Sequence, residues 1–90
     1  MNTFTKRITS SQTITINPSD GVMSLSVEAA PSGGSFNFLG SYQFKGITPT
    51  NLILTDGESI SLIASSTAKT LSGITIQWVS GIVNVLISVS

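Results

Sequence analysis

The chain of 90 residues contains no cysteine and no histidine, and only 9% of its residues are charged. Without cysteine there are no disulfide bonds and no thiolate metal ligands. Without histidine, the side chain that most often acts as a catalytic base is missing. A typical soluble domain is about one quarter Asp, Glu, Lys and Arg, so hydroxyl groups must cover much of this surface.

The few charged residues are balanced, four basic against four acidic, so the formal net charge is zero at pH 7. Nucleic-acid binding needs a basic face, and we therefore expect no nucleic-acid partner. No apolar run approaches the roughly 18 residues of a membrane span, so no membrane partner is expected. The longest run, residues 83–87, is interrupted by Asn84. Low charge favours association over free solubility, and we expect a homo-oligomer, preferably a trimer.

Apolar residues alternate with serine and threonine along most of the chain, a period typical of half-buried strands. Turn residues interrupt the alternation at roughly ten-residue intervals. This pattern predicts an all-β fold with no substantial helix: one small β-sandwich of about seven antiparallel strands, Ig-like or jelly-roll-like. The predicted core contains most of Ile14, Ile16, Leu25, Val27, Phe38, Leu62, Ile76, Trp78, Val85 and Ile87.

Two positions carry specific backbone predictions. Asp56-Gly57 is the strongest hairpin signal in the chain, because Asp-Gly suits a type I′ turn. Residues 58–64 are accordingly predicted to pair with residues 51–55. Gly40 lies inside an alternating aromatic run, where a glycine indicates a bulge, a bend or a close backbone approach.

Residues 1–7 do not share the alternation and are predicted to form an N-terminal arm before a β-sandwich domain of residues 8–90. One interpretation is a frayed chain end. The other is a docking arm in which Phe4 fills a pocket on a partner, while Lys6 and Arg7 meet carboxylates at its rim. Phe4, Lys6 and Arg7 are therefore the predicted interface residues. The arm also lacks the apolar segment of a secretory signal.

The remaining side chains do not specify a reaction. A serine or threonine nucleophile needs a base beside it, and lysine is the only side-chain amine available. Asp56 and Glu58 are the only close carboxylate pair, and the turn explains the first of them. A calcium ion would need more oxygen ligands, with Asp20 joining that pair. We therefore predict no catalytic, cofactor-binding or metal-binding residue, no cofactor and no enzyme activity.

The aromatic residues are open to two interpretations. They could form an exposed platform on which a sugar ring stacks, or they could fill a core or a subunit interface. Their shared parity along the chain favours the core or interface. The residues concerned are Phe36, Phe38, Tyr42, Phe44 and Trp78.

Residues 54–85 carry a three-part pattern of turns and apolar strands. Residues 54–62 read LTDGESISL, residues 71–76 read LSGITI, and residues 80–85 read SGIVNV. This succession resembles the closing strands of small tailed-bacteriophage virion proteins. The resemblance implies a role in the particle, as a capsid decoration (cement) subunit, a head-fibre base or a tail component. It carries over no catalytic or binding residue.

Resemblance and composition together predict a structural subunit of a bacteriophage particle, located in the virion and assembled in the host cytoplasm. The expected partners are copies of the same chain and a major capsid or tail protein. Strand edges that are a liability in a monomer are covered in such an assembly. The alternative is a non-catalytic module that binds carbohydrate or a cell surface, using the aromatic residues or the Asp56–Glu58 loop.

Overall fold

The computed structural model describes residues 2–40, 52–65 and 69–89, which form eight β-strands and one short 3-10 turn. The all-β prediction is confirmed, and these ranges contain no helix longer than the 3-10 turn, Pro18–Asp20. The strands are β1 (Asn2–Ile8), β2 (Thr13–Ile16), β3 (Val22–Ala29), β4 (Ser35–Gly40), β5 (Leu52–Thr55), β6 (Ser59–Ile63), β7 (Ile74–Ser80) and β8 (Val83–Val89).

The strands form two antiparallel sheets of four. Sheet 1 has the order β1-β8-β3-β6, and sheet 2 has the order β2-β7-β4-β5. Along the chain the pairs are nested: β4 with β5, β3 with β6, β2 with β7 and β1 with β8. A long hairpin rolled over into two layers has this order, which is that of a jelly roll. An Ig-like sandwich would place its first two strands side by side in one sheet.

Residues 2–7 belong to the sheet, so the predicted boundary between an arm and a domain starting at residue 8 is wrong for them. β1 pairs with β8 along its whole length, from Asn2 opposite Val89 to Ile8 opposite Val83. Alternation did not reveal this strand because its first six residues are all exposed. When a strand is exposed on both faces, neither of its two sets of alternating residues is buried, so its sequence does not alternate between apolar and polar residues.

The turn at Asp56-Gly57 is confirmed, but the predicted pairing of its two arms is wrong. Asp56 and Gly57 have φ angles of 45° and 88°, and the Glu58 N–H donates to the Thr55 carbonyl at 3.1 Å. The arms nevertheless belong to different sheets, since β5 pairs with β4 and β6 with β3. This arrangement lets Leu54 and Leu62 pack on the core from opposite layers.

The core lies between the sheets and confirms most of the predicted set. Seven of the ten predicted residues are buried, while Ile14, Trp78 and Ile87 are partly buried and pack against them. Burial of each large apolar side chain contributes about 1.5–3 kcal/mol. The buried apolar residues are Ile8, Ile16, Val22, Leu25, Val27, Ala29, Phe36, Phe38, Leu62, Leu71, Ile74, Ile76, Val83 and Val85.

Gly40 makes the close backbone approach that its position predicted. Its φ is 135°, and a Cβ atom there would collide with the carbonyl oxygen of Gly73. Glycine is the residue that tolerates both conditions. The chain therefore needs a glycine at the end of β4, where this strand approaches the segment leading into β7.

Candidate functional site

The three predicted interface residues lie on β1, which is an edge strand of sheet 1 among the described strands. Phe4, Lys6 and Arg7 all belong to β1, and all three side chains are exposed. Phe4 has the parity of the buried Ile8, yet it is 56% exposed. Among the described residues it is the one exposed aromatic side chain, which makes it available to a partner.

The opposite edge of the sandwich is formed by β5 and β6, which the turn at residues 56–57 joins. β6 contains no charged residue, and its Ile63 is 81% exposed. β5 exposes Leu52 and Ile53 beside it. No other described strand pairs with the outer side of β6, and an edge strand without a charge or a proline is a template for pairing with another chain. The β6 edge is therefore less protected than the β1 edge, which carries two cations.

The carboxylates of Asp56 and Glu58 stabilise backbone turns. Asp56 Oδ1 accepts a hydrogen bond from the Gly33 N–H at 2.8 Å, and Glu58 Oε1 accepts one from the Thr55 N–H at 2.8 Å. Asp20 Oδ2 accepts from the Asn17 N–H, also at 2.8 Å. In the three described ranges, no three Asp, Glu, His or Cys residues lie close enough to hold a metal ion. Asp20 thus does not join the other two.

The described aromatic residues of the predicted platform belong to the core or its margin. Phe36 and Phe38 are fully buried. Trp78 is half-buried, and its indole Nε1 donates to the Gly81 carbonyl at 2.9 Å. Tyr42 and Phe44 lie outside the described residues. A sugar-stacking platform built on Phe36, Phe38 and Trp78 is therefore ruled out.

A groove of about 540 Å³ crosses the outer face of sheet 1. All four strands contribute outward-facing side chains, because strand pairing aligns them in rows across the sheet. We call this feature the sheet 1 groove. One row is Thr5, Leu86, Ser26 and Ser61, and the next is Arg7, Asn84, Glu28 and Ser59.

Hydrogen bonds hold part of the groove in place. Asn84 Nδ2 donates to Glu28 Oε1 at 3.2 Å, and the hydroxyl oxygens of Ser26 and Ser61 are 2.9 Å apart. Arg7 and Glu28 belong to one row with β8 between them, so they lie roughly 10 Å apart in strand spacing. The outward-facing side chains of the groove therefore offer one positive and one negative group at separate positions, with hydroxyl and amide groups around them. Lys6 also lines the groove, but its parity on β1 is that of the inner face.

Sequence reasoning did not find the groove, because its residues come from four strands that are distant along the chain. The one local signal is Asn84, a polar side chain inside the apolar run of residues 83–87. That signal marks a polar position on β8. It does not indicate that Arg7 and Glu28 are its neighbours.

Comparison of the sequence with protein-family models and with curated proteins, and of the fold with solved structures, found no match. The likeness of residues 54–85 to tailed-bacteriophage virion proteins stays a prediction. Within the described ranges, no helix has the length and apolar character needed to cross a membrane.

Proposed function

We propose that this protein is a non-enzymatic structural subunit of a bacteriophage particle, a decoration or tail component that assembles with its own copies and with a major capsid or tail protein. The observation that carries the proposal is the match between β1 and β6, the two edges of sheet 1, with which no further described strand pairs. A jelly roll is one of the folds that viral capsid proteins use, although fold alone does not determine function.

The two edges have the geometry to pair with each other in neighbouring copies. Successive strands of sheet 1 alternate in direction, so β1 and β6 run antiparallel to each other. A second copy placed beside β6 with its β1 at the contact therefore continues the antiparallel sheet. Such head-to-tail pairing uses two different surfaces, and it closes into a ring when the rotation between copies allows. The predicted trimer is one such ring.

The side chains at the two edges are also complementary. The pairing rows place Thr3 level with Ile63, and Arg7 level with Ser59. In a pairing that keeps the rows level, Thr3 of one copy lies beside Ile63 of the next on the outer face, and Phe4 lies beside Leu62 on the inner face, so the exposed Phe4 and Ile63 side chains each gain a neighbour. Lys6, level with Ile60 on the inner face, then lies diagonal to Glu58, which directly precedes β6. We therefore keep the docking role predicted for Phe4 and Lys6, with β1 acting as an edge strand, while Arg7 lies on the outer face.

Because the chain has no cysteine of its own, a pair of introduced cysteines can test the edge pairing by disulfide cross-linking. Within one copy, β1 and β6 are separated by three strand spacings of about 4.8 Å, beyond the roughly 7 Å that a disulfide can span. In the double variant Thr3→Cys/Ile63→Cys, a disulfide can therefore form only between copies. We expect a non-reducing gel to show dimers and trimers and no larger species.

The matched control is Thr3→Cys/Val79→Cys, because Val79 is similarly apolar and exposed but lies on β7, inside sheet 2. This variant is expected to remain largely uncross-linked. Sedimentation of the unchanged chain should give about three times the monomer mass of 9.4 kDa. A monomer at micromolar concentration, or equal cross-linking in both variants, contradicts the edge pairing.

The particle itself is tested by mass spectrometry of virions purified from the source of the sequence. A structural subunit is expected in fixed stoichiometry to the major capsid or tail protein, and it should stay with the particles through density-gradient centrifugation. Recovery of the protein only in the soluble fraction overturns the assignment to a virion.

A further inference from the structure

The sheet 1 groove has no part in the proposed assembly, because edge pairing uses the sides of the sheet and leaves its outer face open. Seven of the eight outward-facing side chains in its two rows are polar. Together these side chains can both donate and accept hydrogen bonds. Arg7 only donates, the carboxylate of Glu28 only accepts, and Asn84 and the hydroxyl groups do both.

The balance of charge in the groove restricts the class of ligand. Arg7 and Glu28 lie in one row and cancel in net charge. An anionic ligand long enough to span the row would meet the Glu28 carboxylate as well as Arg7, and a cationic one would meet the Arg7 guanidinium as well as Glu28. A neutral ligand with several hydroxyl groups uses donor and acceptor positions without either repulsion.

The centre of the groove adds an apolar contact. Leu86 is 42% exposed between Thr5 and Ser26, in the row beside Asn84. A pyranose ring has the matching composition, because its hydroxyl groups lie at the rim and its C–H groups form apolar patches on its faces. Covering Leu86 with such a patch removes apolar surface from water.

The dimensions match one or two sugar rings. The cavity of about 540 Å³ lies within the range of about 300–1,000 Å³ that is usual for small-molecule sites. The four strands span about 14 Å across the sheet, close to the length of a disaccharide. An extended peptide, by contrast, binds characteristically by adding to a sheet edge. We propose that the sheet 1 groove binds a neutral mono- or disaccharide.

The test is saturation-transfer NMR of the full chain with a fixed set of probes. The neutral probes are methyl glucoside, methyl galactoside, methyl mannoside, N-acetylglucosamine, maltose and lactose, and the charged probes are glucuronic acid and glucosamine. We expect at least one neutral probe to bind with a dissociation constant on the order of 1 mM, as is typical for a small, shallow site, and the charged analogues to bind more weakly.

Two groove variants locate the binding. Asn84→Leu removes the central amide at similar volume, and Glu28→Gln removes the charge while keeping the shape. Each is expected to weaken binding about threefold to tenfold, the usual effect of one lost hydrogen bond. The control is Gln77→Leu, which makes a similar change on the outer face of sheet 2 and should leave binding unchanged. Thermal unfolding of every variant shows whether the fold is retained.

Three results overturn this proposal: no neutral probe binds up to about 10 mM, the charged probes bind better, or Gln77→Leu reduces binding as much as the groove variants. None of them bears on the size of the oligomer, so failure here is distinguishable from failure of the proposed assembly. If both groove variants fail to fold, Ser61→Ala serves in their place, because Ser61 is exposed on the edge strand β6, and unchanged binding in that variant contradicts the proposal.

Discussion

The two sheets bury similar apolar faces but present different outer surfaces. All charged residues located in described strands belong to sheet 1, namely Lys6, Arg7 and Glu28. The described strands of sheet 2 contain none. Its outer face instead pairs Thr13 with Gln77 and Thr15 with Thr75. Both sheets contribute to stability through the core that they share. Recognition, by contrast, we assign to sheet 1.

The largest expected effect tests whether the two sheets share one core. Leu25→Ala removes a buried side chain from sheet 1 and Phe38→Ala removes one from sheet 2. Each should lower the free energy of unfolding by about 2–5 kcal/mol, because the surrounding residues only partly refill the cavity. Urea denaturation at one protein concentration measures both changes. If one variant is as stable as the unchanged chain, the sheets do not contribute equally, and the comparison fails.

A smaller effect tests the close backbone approach between Gly40, at the end of β4 in sheet 2, and Gly73. Gly40→Ala adds a Cβ atom that meets the Gly73 carbonyl at an unfavourable φ, whereas Gly33→Ala adds one at a φ of 110° with no atom within 4 Å. Strained φ and steric displacement each cost about 1–3 kcal/mol. We therefore expect Gly40→Ala to lower the free energy of unfolding by about 3 kcal/mol and Gly33→Ala by about 1 kcal/mol. Equal losses in thermal unfolding would mean that φ alone sets the requirement for glycine.

Features that are set by neighbouring residues could be predicted from this sequence, whereas features that depend on residues far apart in the chain could not. Strands such as β3 were predictable, because Leu25 and Val27 alternate with Ser26 and Glu28 and each choice is local. β1 was not, since an edge strand can be exposed on both faces. The φ angles of the Asp56-Gly57 turn are local and were predicted. The partners of its arms depend on which layer each arm covers, and that information lies in β3 and β4.

The candidate site shows the same limit more strongly. Phe4, Lys6 and Arg7 were noted because they interrupt a pattern, and the structure places them on an exposed edge. The sheet 1 groove depends on the register of β8 between β1 and β3, which brings Asn84 beside Glu28 across more than fifty residues of sequence. A single sequence contains no record of that register, because shifting β8 by two residues preserves the same alternation.

The smallest expected effect comes from replacing one amide side chain on each outer face by the carboxylic acid of the same shape. Asn84→Asp in sheet 1 replaces the donor to Glu28 Oε1, 3.2 Å away, by a second carboxylate. Gln77→Glu in sheet 2 places the same charge where the described strands contain no other. We expect Asn84→Asp to lower the free energy of unfolding at pH 7 by about 0.5–1 kcal/mol, a usual magnitude for exposed charge pairs. Gln77→Glu should change it by less than about 0.5 kcal/mol.

The dependence on pH identifies the cause. The neighbouring carboxylate raises the pKa of the introduced carboxyl group in the folded protein above its value in the unfolded chain. A raised carboxyl pKa means that the folded state takes up the proton first, so the loss of stability in Asn84→Asp is present at neutral pH and is relieved as the pH falls through that raised pKa. The difference between this variant and Gln77→Glu, measured by urea denaturation from pH 7 down to about pH 4, should therefore shrink. A difference that stays constant over this range would show that lost hydrogen-bond geometry, and not charge, distinguishes the outer face of sheet 1 from that of sheet 2.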